Sequence, residues 1–303
     1  MKRPPRTELS PTEQKDWEKN IQLACLKGLA QQPLQIDDLV FHGGTSLRFS
    51  WGSPRFSEDL DFMLTKSKMP QVNKIVYTAM QVVREELQNL DPDFEINIKE
   101  KSRRDGQLQT YMISLQKKNV MGAARVKLEF WEVDNSFFEK YKTSLKTPQD
   151  KFSETRIYSE SLLPVADLKS AYCDKLVALS TRPFLKWRDI FDIWWLRTQN
   201  DLNPLKEEGF LDFFKHNLSA YSVPEGMTLE QSLNRYLNWD RAEILKKSEE
   251  DLQKWLSKNL WDKLYPKTVE EMIDLVEKDV ASLLLALSND HNPSQGPKQK
   301  GVL

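Results

Sequence analysis

The chain has 303 residues, with 39% hydrophobic and 29% charged residues and a formal net charge of -1, so it can bury a substantial core as one large domain or two modest ones. That balance excludes global attraction to nucleic acid, and any such binding has to use a local patch. Its two cysteines, Cys25 and Cys173, sit in apolar helical patterns and support neither a disulfide framework nor a zinc site. The basic start Met1–Arg6 has no apolar run behind it, and no stretch is long and apolar enough to span a bilayer, which reads as a cytoplasmic protein with no membrane partner.

Ser10-Pro11-Thr12-Glu13 places a capping serine, a first-turn proline and a glutamate three residues on, so a helix is expected from there to about Gln31. Leu39-Val40-Phe41 reads as a buried strand leading into His42-Gly43-Gly44-Thr45-Ser46-Leu47-Arg48, with a short helix over Thr45 to Phe49. Adjacent glycines permit positive φ and a close approach to a ligand, and exposed N–H groups in such a turn attract phosphate. Downstream, Leu60, Phe62 and Leu64 alternate with Asp59, Asp61 and Met63, the period of a strand that buries one face and presents the other. Two carboxylates at i and i+2 on one face repel, and a divalent cation between them relieves this. Strand, glycine turn, helix and acidic strand together describe a phosphate cradle beside a magnesium site.

Pro70 opens an amphipathic helix with Val72, Ile75, Val76, Ala79, Val83 and Leu87 on one stripe, ended by Asp91-Pro92-Asp93. Strands follow at Phe94 to Lys99, Leu108 to Leu115 and Ala124 to Phe130, the first two joined by the polar turn Ser102 to Gly106. In the third strand Val126, Leu128 and Phe130 point one way and Arg125, Lys127 and Glu129 the other, so Glu129 offers a third carboxylate. Glu132 and Asp134 remain alternatives for it. Lys99, Lys101, Arg103, Arg104, Lys117, Lys118, Arg125 and Lys127 concentrate positive charge on this hairpin, which reads either as a solvated edge or as a track for an RNA backbone.

Asp167 caps a helix over Leu168 to Thr181 that carries Lys175, and a second helix runs from Trp187 to Arg197 with Arg188, Asp189 and Asp192 among apolar residues. Either Arg188 and Asp192 form an internal ion pair, or Lys175 clamps a triphosphate while the Arg/Asp group supports the nucleotide. Leu211 to His216, Leu229 to Trp239, Ala242 to Leu260 and Val269 to Leu287 carry helical spacing, with breaks at Pro224 and Pro266. Residues 289 to 303 read as a disordered tail. The expected organisation is a sheet domain over 1–165, a helical domain over 166–288 that completes the active site, and that tail.

Gly43 to Arg48, Arg55 to Asp61, Asp174 to Leu179 with Arg182, and Arg188 to Asp192 resemble, in order, the motifs of AbiEii-type nucleotidyltransferases, the toxins of type IV toxin–antitoxin and abortive-infection systems. The resemblance covers roughly Asp38 to Leu196. It implies an α+β, polymerase-β-like nucleotidyltransferase fold with a mixed sheet followed by a helical bundle, Mg²⁺ as cofactor and a nucleoside triphosphate as donor. By that resemblance Thr45 or Ser46 holds phosphate, Asp59 and Asp61 bind metal, Lys175 contacts the triphosphate and Asp192 serves the active site. The spacing from Gly44 to Asp59 is longer than in many other nucleotidyltransferases and brings Arg48, Arg55 and Ser57 near the site, with Arg55 set against a phosphate or Asp59.

The implied chemistry is two-metal transfer, with ions roughly 3.5–4 Å apart held by Asp59, Asp61 and Glu129. The implied acceptor is an RNA end, that of a transfer RNA, and the implied protein partner a cognate antitoxin. Nucleotidylation of a protein or small molecule, and a non-catalytic nucleotide-binding module, are the competing readings.

Overall fold

The computed structural model describes residues 7–101, 107–152, 155–199 and 202–291. The chain divides into two compact units, residues 1–171 and 172–303, with the division inside the helix Leu168–Thr181.

The first unit contains β1 (Thr7–Glu8), α1 (Pro11–Ala30), β2 (Leu39–His42), α2 (Gly43–Ser46), β3 (Leu60–Thr65), α3 (Val72–Leu90), β4 (Phe94–Glu100), β5 (Leu108–Lys117), β6 (Val120–Met121), β7 (Ala124–Val133), β8 (Thr143–Lys146) and β9 (Leu163–Ala166). The capping box forms as its residue types dictate: the Ser10 hydroxyl accepts the Glu13 N–H while the Glu13 carboxylate accepts the Ser10 N–H. Seven strands make one mixed sheet in the order β4-β5-β7-β3-β2-β9-β8, parallel at β3–β7 and β2–β9 and antiparallel elsewhere.

One side of this sheet is the core. Leu60, Phe62, Leu64, Val126, Leu128 and Phe130 are buried there with residues of α1 and with the full apolar stripe of α3, Val72 to Leu87. Phe41, Phe62 and Phe130 lie side by side on β2, β3 and β7, with ring centroids 5.0 and 5.4 Å apart. Such cross-strand pairs are the unit of sheet stabilisation. This aromatic row fixes the register, because a slip of one residue on β3 would turn Asp61 into the core.

The opposite side differs from expectation. β3 does not present an open second face, since Met63 and its partner Val40 are also buried. A central strand of a seven-stranded sheet is covered on both faces over most of its length, and only the end carrying Asp61 stays accessible. β8 and β9, which extend the sheet beyond β2, lack a long alternating pattern and escape the sequence reading.

The second unit is helical: the greater part of α4 (Leu168–Thr181), then α5 (Trp187–Arg197), α6 (Phe210–Leu218), α7 (Leu229–Asn234), α8 (Arg241–Asp251), α9 (Lys258–Leu264) and α10 (Lys267–His291). The stretch Ala242 to Leu260 is not one helix. Ser257 starts a new one by accepting the Leu260 N–H, after Leu256 has taken an extended conformation. Leu229 to Trp239 is likewise shorter, ending at Asn234. The last helix runs on through His291, three residues into the stretch read as a tail, and the remainder from 292 lies outside the described residues, as do Arg103 and Arg104. Among the described residues no helix is long and apolar enough to cross a membrane.

Candidate active site

The strand registers bring the acidic residues of the first unit together. Asp61 on β3 pairs directly with Glu129 on the parallel neighbour β7, His42 of β2 flanks Asp61 on its other side, and Thr110 of β5 lies opposite Glu129. His42, Asp61, Glu129 and Thr110 therefore form one row across four strands, on the side of the sheet opposite the aromatic row. Of the three carboxylates the sequence leaves open, Glu129 is the one beside Asp61. Glu132 falls on the reverse face, in register with Leu64, and Asp134 lies past the end of the strand.

Lys127, two residues before Glu129 on the same face, bridges the cluster. Its ammonium lies 3.1 Å from the Asp59 carboxylate and 3.2 Å from that of Glu129. Thr110 donates to the other Glu129 oxygen at 3.3 Å. Burial raises the Asp61 carboxyl above its ordinary pKa; His42 opposes this and the charges of Asp59 and Glu129 add to it. Among the described residues no three metal-capable side chains are drawn together around a point, and the Lys127 ammonium occupies the space between Asp59 and Glu129. The chemistry of the donors nevertheless suits a hard divalent cation: Asp59, Asp61 and Glu129 are carboxylates at one end of β3 and β7, and Asp61, raised by burial first and then by the charges of Asp59 and Glu129, would be relieved by added positive charge.

The glycine turn is built around these carboxylates. Gly43 has φ of +79°, and a Cβ there would stand 2.6 Å from the Asp61 Oδ2. A Cβ on Gly44 would stand 2.2 Å from the Arg55 guanidinium and 3.0 Å from the Ser57 hydroxyl. Gly43 is thus required by its positive φ, with the Asp61 carboxylate close against it, and Gly44 packs against the end of the Arg55 side chain. Thr45, wholly buried, donates its hydroxyl to the Asp59 carbonyl, which fixes the backbone just before β3. Gln22, reaching from α1, donates its amide to the carbonyls of Ser57 and Glu58 at 2.9 and 2.8 Å. Ser46 is buried as well, so the hydroxyls of the turn face inward. After Ser46 the helix widens into a π-type turn over Leu47–Trp51, starting earlier and ending later than Thr45 to Phe49.

Two arginines expected near phosphate have protein partners. Arg55 is buried against Gly44 and donates to the Phe56 carbonyl at 2.8 Å. Arg48 makes a two-oxygen contact to the buried Asp150 carboxylate at 3.2 Å and lies 4.8 Å from the Phe56 ring centroid and 5.4 Å from that of Phe152. Asp150, remote in sequence, gives no signal that could have found it.

The second unit gathers its own cluster. The Lys175 ammonium of α4 meets Asp192 at 2.8 Å and Asp189 at 3.1 Å, both on α5, and Arg182 meets the other Asp189 oxygen at 3.2 Å. The internal Arg188–Asp192 pair anticipated from helical spacing is not what forms. Lys175 takes both aspartates, and Arg188 packs instead on the Trp255 ring at 4.3 Å. Burial alone would raise Asp189, yet Lys175 and Arg182 more than offset it and hold the carboxyl below its ordinary range.

Comparisons with known proteins bear on the family and on the fold. The model of the AbiEii nucleotidyl transferase toxin family, of type IV toxin–antitoxin systems, matches residues 25–283. No curated protein matches the chain. Among solved structures, JHP933 from Helicobacter pylori is 20% identical with a TM-score of 0.51 over 95% of this chain and 100% of its own. A second Helicobacter pylori structure is 18% identical with a TM-score of 0.51 over 91% and 97%. MenT4, a nucleotidyltransferase toxin from Mycobacterium tuberculosis H37Rv, is 18% identical over 87% and 94%, with a TM-score of 0.39. The first two support the fold, and the family match over most of the chain settles the family: the chain belongs to the AbiEii nucleotidyltransferase toxins of type IV toxin–antitoxin systems.

Proposed function

We propose that this nucleotidyltransferase moves a nucleoside monophosphate from a nucleoside triphosphate onto the terminal hydroxyl of an RNA, a transfer RNA by analogy with its family, and that it does so with Mg²⁺. The observation that carries the reading is the in-register Asp61–Glu129 pair with Lys127 lodged between Asp59 and Glu129, the Asp61 carboxylate lying against Gly43 of the glycine bend. Asp59, Asp61 and Glu129 would hold the metal. Bound there, Mg²⁺ would activate the acceptor hydroxyl and stabilise the departing pyrophosphate.

The chain's own residues do the rest. The acceptor oxygen forms a bond to the α-phosphorus, the bond from that phosphorus to the bridging oxygen breaks, pyrophosphate leaves and the hydroxyl proton is lost to solvent. Thr45 keeps Asp59 in place through its backbone, Gly43 leaves room for the Asp61 carboxylate, and Arg55 with Ser57 lines the bend that would receive phosphate oxygens. Lys127 supplies positive charge to the carboxylates. For Lys175 and Asp192 we propose the roles their motifs carry in the family, Lys175 toward the triphosphate and Asp192 in support of it. An antitoxin protein is the expected cellular partner.

The test is incubation with each α-labelled triphosphate in turn, together with separate pools of RNA, protein and metabolites. Label entering RNA with release of pyrophosphate, abolished by chelation and by Asp61→Asn, is the expected result. Label confined to the protein or metabolite pool would overturn the RNA reading, and transfer that survives chelation would overturn the metal.

A further inference from the structure

The segment that joins α4 to α5, taken with the first two residues of α5, is unusual in composition. Arg182-Pro183-Phe184-Leu185-Lys186-Trp187-Arg188 holds three cations and no carboxylate within seven residues. Its two rings have opposite fates: Trp187 is wholly buried and anchors the segment, whereas Phe184 is 60% exposed. The Lys186 ammonium lies 5.5 Å from the centroid of the Phe184 ring, and Lys254 stands beside the same Trp255 ring that Arg188 covers.

This segment is held in place. Arg235 donates to the carbonyls of Arg182 and Pro183 at 2.7 and 2.8 Å, and the Trp187 N–H donates to Asp251 at 2.8 Å. Asp189 answers one face of Arg182, whose side chain remains 35% exposed. Lys186 is pushed below the usual ammonium range, by partial burial first and then by Arg182 and Arg188, with Asp189 and Asp251 opposing. A fixed, locally cationic loop that shows an aromatic ring to water is the combination that binds single-stranded nucleic acid: the ring stacks on an unpaired base and the cations meet the flanking phosphates.

We infer that the Arg182–Arg188 loop docks a single-stranded RNA end, with Phe184 as the stacking platform and Arg182, Lys186 and Arg188 as phosphate contacts. The inference rests on the reading that the acceptor is RNA and adds the surface that would receive it. An acidic protein could also meet the cations, but it would have no base for Phe184 to stack on.

The experiment is fluorescence anisotropy of the full chain with a labelled short oligoadenylate and with a blunt RNA duplex, over a series of salt concentrations. Phe184→Ala should weaken oligoadenylate binding by about fivefold to a hundredfold, the size of one lost base stack, and leave the duplex nearly unaffected. Phe184→Trp should restore it. Lys186→Glu should weaken binding and flatten its salt dependence. Circular dichroism and melting curves matching the unaltered chain show that these changes keep the fold. If both variants bind oligoadenylate as the unaltered chain does, the loop assignment falls and the RNA acceptor stands. If the unaltered chain binds no RNA, both fall. Displacement of the oligonucleotide by polyglutamate, equally from the unaltered chain and from Phe184→Ala, would replace the RNA end with an acidic protein partner and overturn the assignment.

Discussion

The two charge clusters of this molecule differ in balance and in exposure. In the sheet unit, Asp59 and Glu129 share Lys127 while Asp61 lies in register between Glu129 and His42, and the Asp59 and Glu129 side chains are 39% and 19% exposed. In the helical unit, Asp189 and Asp192 share Lys175 and Arg182, two charges against two, and the aspartates are 3% and 0% exposed. A buried and balanced set is complete as it stands, and removing one member leaves an uncompensated charge. An open set with excess negative charge gains from a further cation. By this criterion the first cluster suits a further cation, and the second is also a frame that fixes α4 against α5, beside the role proposed for Lys175.

The largest effect tests the frame. Lys175→Met leaves two buried carboxylates without their shared partner and should cost about 3–5 kcal/mol of stability, measured by denaturant unfolding. Adding Asp189→Asn and Asp192→Asn to it should recover most of the loss. An unchanged transition in Lys175→Met would remove the distinction between the clusters. Asp61→Asn should behave oppositely, with transfer falling by about 10²–10³-fold, as expected when an electrostatic stabiliser is lost. Its melting temperature should hold or rise, because a like-charge neighbour of Glu129 is gone, worth about 1 kcal/mol or less. A thermal loss as large as that of Lys175→Met would erase the contrast from the other side.

Ligand linkage sharpens it further. At a hundredfold excess over its dissociation constant, Mg²⁺ should stabilise the unaltered chain by about 2.7 kcal/mol and Asp61→Asn much less. The same addition should also stabilise Lys175→Met, whose carboxylates on β3 and β7 are intact. Calorimetric scans with and without the ion decide this. Equal stabilisation of the unaltered chain and Asp61→Asn would move the ion away from Asp61.

Much of the sheet unit was legible because its signals are local. The Ser10–Glu13 capping box, the α3 stripe and the alternation around Asp61 and Glu129 each lie within a few residues, and each maps onto the element it implied. What was not legible depends on partners distant in sequence. Met63 reads as solvent-facing until β2 and β7 are known to flank β3. That the bend lies against the Asp61 carboxylate at Gly43 and against Arg55 at Gly44 is set by residues further along the chain. Helical spacing suggested Arg188 as the partner of Asp192, but Lys175 approaches from α4 and displaces it, a choice no pattern within α5 encodes. Gln22 and Asp150 support the site from 35 and 102 residues away, and nothing around either marks it.

The smallest effect bears on the third carboxylate. Thr110 faces Glu129 across β5 and β7 and donates its hydroxyl to one carboxylate oxygen at 3.3 Å, while Lys127 engages the other. Thr110→Val keeps the β-branched shape that suits the strand and removes only that hydroxyl, at a stability cost of about 0.5–1.5 kcal/mol. Groups that orient metal ligands tune affinity by about 10–100-fold, and this single long hydrogen bond belongs at or below the bottom of that range. Titration of transfer against Mg²⁺ should therefore show a several-fold rise in the concentration needed for half activity, with the rate at saturating Mg²⁺ close to that of the unaltered chain. A fall in the saturating rate with no change in Mg²⁺ demand would place Glu129 with the substrate instead, and the metal would then rest on Asp59 and Asp61 alone.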